Sequence, residues 1–304
     1  MKESLRNLFI ENPMQIETVR ALRRFTVAGG SATVPRHMSR IFFGLVSGLY
    51  LWLLFAILAY REDTSLGILW FEFVMLTLLV PGSLYASISG ERERLTWDSL
   101  ILTRLSPAKI LVGKICWRLG MALCFQLLCA APLVLTHAAT KFQTQYTWDM
   151  LLRVQFALTA WAVFLATFTL WVSASTRRSA ISLSIVTTCL FGFLILMPFL
   201  LAVFSINVEL DYYGPTVIEW LGSFVWHLHP VSLMHGLTSE GQPPTDRWRD
   251  LFVPLSIDRV TGKYTPAVGI YDLVPWIYLT LAGLCIVATL KNLTRLGMPN
   301  GKER

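Results

Sequence analysis

Apolar residues occur along this chain in blocks near 20 long, separated by short polar segments rich in Arg, Lys and Gly. An α-helix rises about 1.5 Å per residue, so about 20 apolar residues cross a bilayer core of roughly 30 Å. Six such blocks predict six spans, at about 41–60, 66–89, 109–135, 151–174, 179–205 and 271–291. The polar remainder divides the chain into a leading segment, 1–40, a six-span domain, 41–291, and a tail, 292–304. Residues 206–270 form a long loop within the six-span domain. The expected fold class is therefore an all-α polytopic membrane protein.

The segments between the spans carry their own patterns. In 14–27, Met14, Val19, Ala21, Leu22 and Phe25 share one arc of a helical wheel. Glu17, Arg20, Arg23 and Arg24 share the other. This is an amphipathic helix with a basic face, suited to lie in the membrane interface. Ala28-Gly29-Gly30-Ser31 ends it. In the loop after the second span, Thr96 to Leu102 reads as a short helix, with Thr96 as N-cap and Asp98 in its first turn. Ser106-Pro107 reads as the cap and first residue of the third span. The 216–238 stretch is apolar and aromatic enough to dip into the interface.

Composition agrees with this pattern. The chain has 304 residues, 54% hydrophobic and 15% charged, against about 25% charged in a soluble domain. That excludes an ordinary soluble enzyme, a disordered chain and a secreted disulfide scaffold. The net charge of +7 is unevenly placed. Segments 1–40, 90–118, 175–178 and 291–304 hold 19 of the 26 Lys and Arg residues. They alternate as one side of the membrane, so the positive-inside rule places both termini in the cytoplasm. The basic residues read as orientation signals beside anionic head groups, and no nucleic-acid partner is implied. The first 40 residues lack an early apolar run, so the first span is expected to act as its own retained insertion signal. The five cysteines all fall in spans and read as packing residues, neither disulfides nor metal ligands.

Few residues suggest chemistry. Gly113-Lys114 is followed by Ile115 and lacks the upstream glycine of a phosphate-binding loop. No cofactor is expected on this chain. His227, His229 and His235 have a spacing compatible with a metal, but no His-Glu-x-x-His pair or nearby cysteine accompanies them, and no metal site is assigned. Glu91 and Glu93 alternate with Arg92 and Arg94, which favours ionised carboxylates in ion pairs over an acid–base pair. Glu72 lies about two turns into the second span, and an intramembrane carboxylate is a functional candidate, here for a transport path. Arg118 is expected to snorkel to the surface.

The loop reads Glu91-Arg92-Glu93-Arg94-Leu95-Thr96, then Leu100, Thr103, Leu105-Ser106, Ile110 and Gly113-Lys114. In order and spacing it resembles the membrane subunits of type-2 ABC exporters. Asn12-Pro13 before a basic amphipathic helix is similar to one branch of that family. Trp226–Leu237, with Pro230, is similar to the segment preceding its last span. The resemblance implies a permease subunit, without ATPase activity of its own, in the inner membrane of a bacterium. Such subunits pair as homo- or heterodimers and dock on ATP-binding subunits that hold ATP and Mg. It also implies an elbow helix that includes Arg20, Leu22, Arg23, Arg24 and Phe25. A coupling helix would run over about Thr96–Arg104. Partner coupling would fall to Glu91, Arg92, Glu93, Thr96, Leu100, Leu102, Thr103, Leu105, Ser106, Gly113 and Lys114. The residues alone leave two other readings: a membrane-embedded hydrolase using Glu91 and Glu93, and a non-transporting scaffold.

Overall fold

The computed structural model describes residues 63–102, 105–139, 148–199, 228–238, 255–257, 264–266 and 270–296. The first expected span, the amphipathic helix with Arg20, Leu22, Arg23, Arg24 and Phe25, and Thr103 lie outside the described residues. The helices are α1 (Asp63–Leu84), α2 (Ser89–Glu93), α3 (Trp97–Leu102), α4 (Pro107–Ala139), α5 (Trp148–Ser175), α6 (Ser179–Phe191), α7 (Pro230–Thr238) and α8 (Ile270–Arg295). A π-helical stretch, Gly192–Leu196, continues α6. Among the described residues, 5 helices are long and apolar enough to cross a membrane. They correspond to the second through sixth expected spans.

One feature departs from an all-α reading. Leu255–Ile257 (β1) and Tyr264–Pro266 (β2) pair antiparallel, with Ser256 opposite Thr265. The hairpin lies in the long 206–270 loop, where alternating polar and apolar residues and scattered prolines disfavour a helix.

Helix α5 is the centre of the bundle and packs against α1, α4, α6, α7 and α8. Its sequence explains the position. It is apolar all round, which suits a helix surrounded by others. Ala157, Ala160, Ala162, Ala166 and Ala174 are all buried and let neighbouring backbones approach closely. Trp161 fills the core, 1% exposed, with ring centroids 5.1 Å from Tyr278 and 6.4 Å from Phe73. Its indole N–H donates to Thr77 Oγ1 at 3.0 Å. Burying a tryptophan this large requires such a partner for its polar edge.

Helix α6 sits at the periphery of the described bundle, with Ile181, Leu183, Ile185 and Phe191 exposed. Its π-helical stretch is held from α7. His229 Nε2 lies 3.1 Å from the Phe193 carbonyl. Tyr278 of α8 donates its hydroxyl to the Leu228 carbonyl, which fixes the start of α7 from the other side. Leu233, Met234 and Leu237 of α7 are buried in the same core.

Candidate functional site: the α2–α3 junction

The second expected span does not run straight into the loop. Helix α1 ends at Leu84, a turn occupies 85–88, and α2 begins at Ser89. Backbone groups freed by that turn find partners on other helices. Ser173 Oγ of α5 accepts the N–H groups of Ile88 at 3.0 Å and Ser89 at 3.1 Å. Arg118 Nε of α4 donates to the Ser83 carbonyl at 2.8 Å, and Lys114 Nζ donates to the Ser87 carbonyl at 2.6 Å. Buried backbone groups rarely go unpaired, and side chains from α4 and α5 supply partners at this break beside local bonds such as Ser87 N–H to Leu84 O at 2.9 Å.

Three consecutive charged residues of α2 then reach three different helices. Glu91 meets Lys114 Nζ of α4 at 2.7 Å. Lys114 is almost fully buried, and its ammonium is shared between that carboxylate and Ser87 O. Arg92 Nη1 donates to the carbonyls of Thr176 at 2.9 Å and Ala174 at 3.3 Å, at the C-terminal end of α5. A cation there complements the helix dipole and the free carbonyls. Glu93 Oε2 accepts from Ser179 Oγ at 2.5 Å and Ser179 N–H at 3.1 Å, at the N-terminus of α6. A carboxylate there is complementary in the opposite sense. A five-residue helix thus holds one partner on each of α4, α5 and α6.

The chain leaves α2 through a Schellman cap. Thr96 N–H bonds to Glu91 O at 2.9 Å and Leu95 N–H to Arg92 O at 3.3 Å. Leu95 therefore takes a left-handed backbone, φ 59°, where glycine is usual. Helix α3 follows directly. Trp97 is buried, and Leu100 is half-buried against the core. Leu102 and Leu95 face outward, 81% and 79% exposed. The Thr96 hydroxyl donates to Glu91 O at 3.1 Å, and its carbonyl accepts from Leu100 N–H. Ser106 then caps α4 through its hydroxyl, which accepts from Lys109 N–H at 3.4 Å. Leu105 is half-buried against the core, and Gly113 is buried.

The residues singled out in the sequence therefore gather at one end of the bundle, and most are engaged within the chain. Ser173, Ser179, Ser83 and Ser87 were not among them. Arg118 was read from its position one turn after Lys114 as a snorkelling cation, and its guanidinium instead bonds the Ser83 and Lys114 carbonyls. Serines inside an apolar span look like packing residues until their partners are known. Glu72 lies away from this junction, on α1 among α4 and α5. Among the described residues, no group of three potential ligands could hold a metal ion. His229 is engaged with Phe193 O, His227 lies outside the described residues, and the His235 side chain is not described.

The family model described as ABC-2 family transporter protein matches residues 83–287, about two thirds of the chain. The chain belongs to the ABC-2 transporter family. It is accordingly a multi-pass membrane protein and a transporter permease subunit. A comparison with curated proteins finds no match. The matched segment begins at Ser83, so it takes in the whole α2–α3 junction of this permease and leaves Glu72 outside.

Proposed function

We propose that this ABC-2 permease is the membrane subunit of an ATP-driven exporter. It docks on separate ATP-binding subunits, which hold ATP and Mg, and pairs with a second permease chain that is either another copy or a homologue. The observation that carries this reading is the geometry of the junction. Helix α3 presents Leu102, and the turn before it Leu95, to solvent, while α2 beside it is tied to α4, α5 and α6. A partner that grips the exposed leucines moves three spans through one short element. The basic residues around it support a cytoplasmic junction, and with it cytoplasmic termini. ATP chemistry then belongs to the partner, and this chain converts partner motion into helix motion. Anionic lipids bordering the basic segments complete its surroundings. The apolar spans suit a hydrophobic substrate.

The hydrolase reading is disfavoured by the same geometry. Glu91 is paired with a lysine and Glu93 caps a helix, so neither carboxylate is placed to give up and take a proton.

The test is purification of the tagged chain from its native membrane in mild detergent, followed by identification of a co-purifying ATP-binding subunit. Leu102→Asp should release that subunit and leave the chain folded, because Leu102 touches little of its own core. Leu100→Asp would instead disturb the chain itself. Recovery of folded wild-type chain with no ATP-binding subunit, across several detergents, would overturn the proposal.

A further inference from the structure

Glu72 has no role in the junction. Its side chain is buried inside α1, 0% exposed, in a helix long and apolar enough to span the membrane. Gln155 Nε2 of α5 donates to Glu72 Oε2 at 2.9 Å. Gln126 Nε2 of α4 stands 3.4 Å from Gln155 Oε1, and Thr159 Oγ1 stands 3.1 Å from Gln126 Oε1. Three helices thus share one line of polar side chains in an otherwise apolar layer. The Gln126 amide also faces the Glu72 carboxyl, but only Gln155 reaches hydrogen-bond geometry with it. Glu72 Oε1 is buried with no hydrogen-bond partner among the described residues.

Among the described residues, the surroundings of this carboxyl supply no counter-charge. From α4 come Gln126 and Cys129, the latter a thiol beside it. From α5 comes Gln155, and the nearest charged residues of that helix, Arg153 and Asp149, are paired with each other at 2.7 Å. An ionised carboxylate with one amide hydrogen bond and no cation is strongly disfavoured in such a layer. The neutral acid fits. Oε2 then serves as the carbonyl accepting from Gln155, and Oε1 carries the proton.

We propose that Glu72 is an intramembrane proton-binding site, neutral while α1, α4 and α5 are packed and ionised when that seam opens. Its ligand is a single proton, taken up as the seam closes and released when water reaches the carboxyl. The reaction is the reversible protonation of one carboxylate, with no other reactant. The inference stands on the polar line alone and holds whether or not the chain docks on an ATP-binding subunit. It makes the packed arrangement sensitive to pH at a position the family match does not cover.

The experiment is infrared spectroscopy of the purified full chain in phospholipid vesicles, from mildly acidic to alkaline pH. The expected result is a protonated-carboxyl band at acidic and neutral pH that is lost at alkaline pH and missing from Glu72→Gln. In parallel, the wild-type unfolding midpoint should fall relative to Glu72→Gln as pH rises. Gln155→Leu, which removes the bond to Oε2, should shift the band in frequency, so the assignment survives if Glu72→Gln folds poorly. Absence of a Glu72-dependent acid band at every pH would mean an ionised carboxylate paired with a cation, such as a cationic substrate, and would overturn the proposal. A band that persists undiminished at alkaline pH would overturn it too, leaving a locked structural acid.

Discussion

Glu91 and Glu72 are both glutamates packed against neighbouring helices, yet Glu91 faces an ammonium at 2.7 Å and Glu72, among the described residues, faces amides and a thiol. The first sits at the end of the bundle, with its side chain 33% exposed, and can keep its charge by sharing Lys114 and water. The second sits in the apolar layer and is fully buried. The two regions therefore use the same residue for different ends. At the junction, charge is fixed so that a short helix can be gripped from three sides. In the spans, a neutral acid joins a line of amides whose strength depends on the packing around it. Depth along a helix, rather than residue type, decides which behaviour a carboxyl adopts.

The largest separation between the two regions should come from Lys114→Met. It leaves Glu91 and Ser87 O without their shared donor, and breaking a largely buried pair of this kind should cost about 2–3 kcal/mol in unfolding free energy. Denaturant unfolding in detergent would measure it, and an effect below about 1 kcal/mol would mean that water replaces the ammonium with ease. Ser173→Ala is next. It strands two backbone N–H groups of the turn after α1, for a loss of about 1–2 kcal/mol by the same measurement.

The matched substitution is Glu→Gln at each position. Glu91→Gln removes charge from a pair and leaves a buried ammonium, at about 1 kcal/mol. Glu72→Gln keeps shape and neutrality, so at acid pH, where the unfolded carboxyl is protonated too, it should change stability by less than about 0.5 kcal/mol, and the variant should gain on wild type as pH rises. Equal losses at the two positions would collapse the distinction. Leu95→Gly should act in the stabilising direction by about 0.5–1 kcal/mol. A left-handed leucine costs about 1–2 kcal/mol, partly offset by the entropy of glycine. The same change removes an exposed leucine from the docking face, so partner affinity should drop while stability rises.

The smallest effect concerns His229, which holds the π-helical stretch of α6 from α7. Burial, the largest influence, holds its pKa below the ordinary 6.5, against the raising effect of the Phe193 and Leu194 carbonyls. The folded chain therefore binds a proton there less readily than the unfolded chain. Its contribution to stability is complete above 6.5 and declines as pH falls below that value. Unfolding midpoints of wild type and His229→Gln should converge on acidification. A gap independent of pH would show that the imidazole does not titrate in this range.

Much of this architecture could be read along the chain. Blocks of about 20 apolar residues locate spans because the bilayer sets a length and the helix a rise. Five of the six expected blocks are helices among the described residues, and the first lies outside them. The Ser106 cap was legible because a hydroxyl followed by proline has one local use at a helix start. The break at 85–88 was not, since Tyr85-Ala86-Ser87-Ile88 carries neither glycine nor proline and its backbone partners come from 27 to 85 residues away. The 255–266 hairpin was hidden too, because two three-residue strands leave too few positions for a period to register.

The sequence by itself determined that this chain crosses a membrane, where its polar junction falls and which family motif it carries. All of these depend on local hydrophobicity, charge and spacing. Tertiary structure alone decided which partner each charge meets. Arg92 and Glu93 are adjacent in sequence, yet one closes the end of α5 and the other the beginning of α6. It also decided that Glu72 faces Gln155 rather than lipid. An apolar helix has no sequence-visible inside and outside when its neighbours and the bilayer are equally apolar, so only packing assigns its faces.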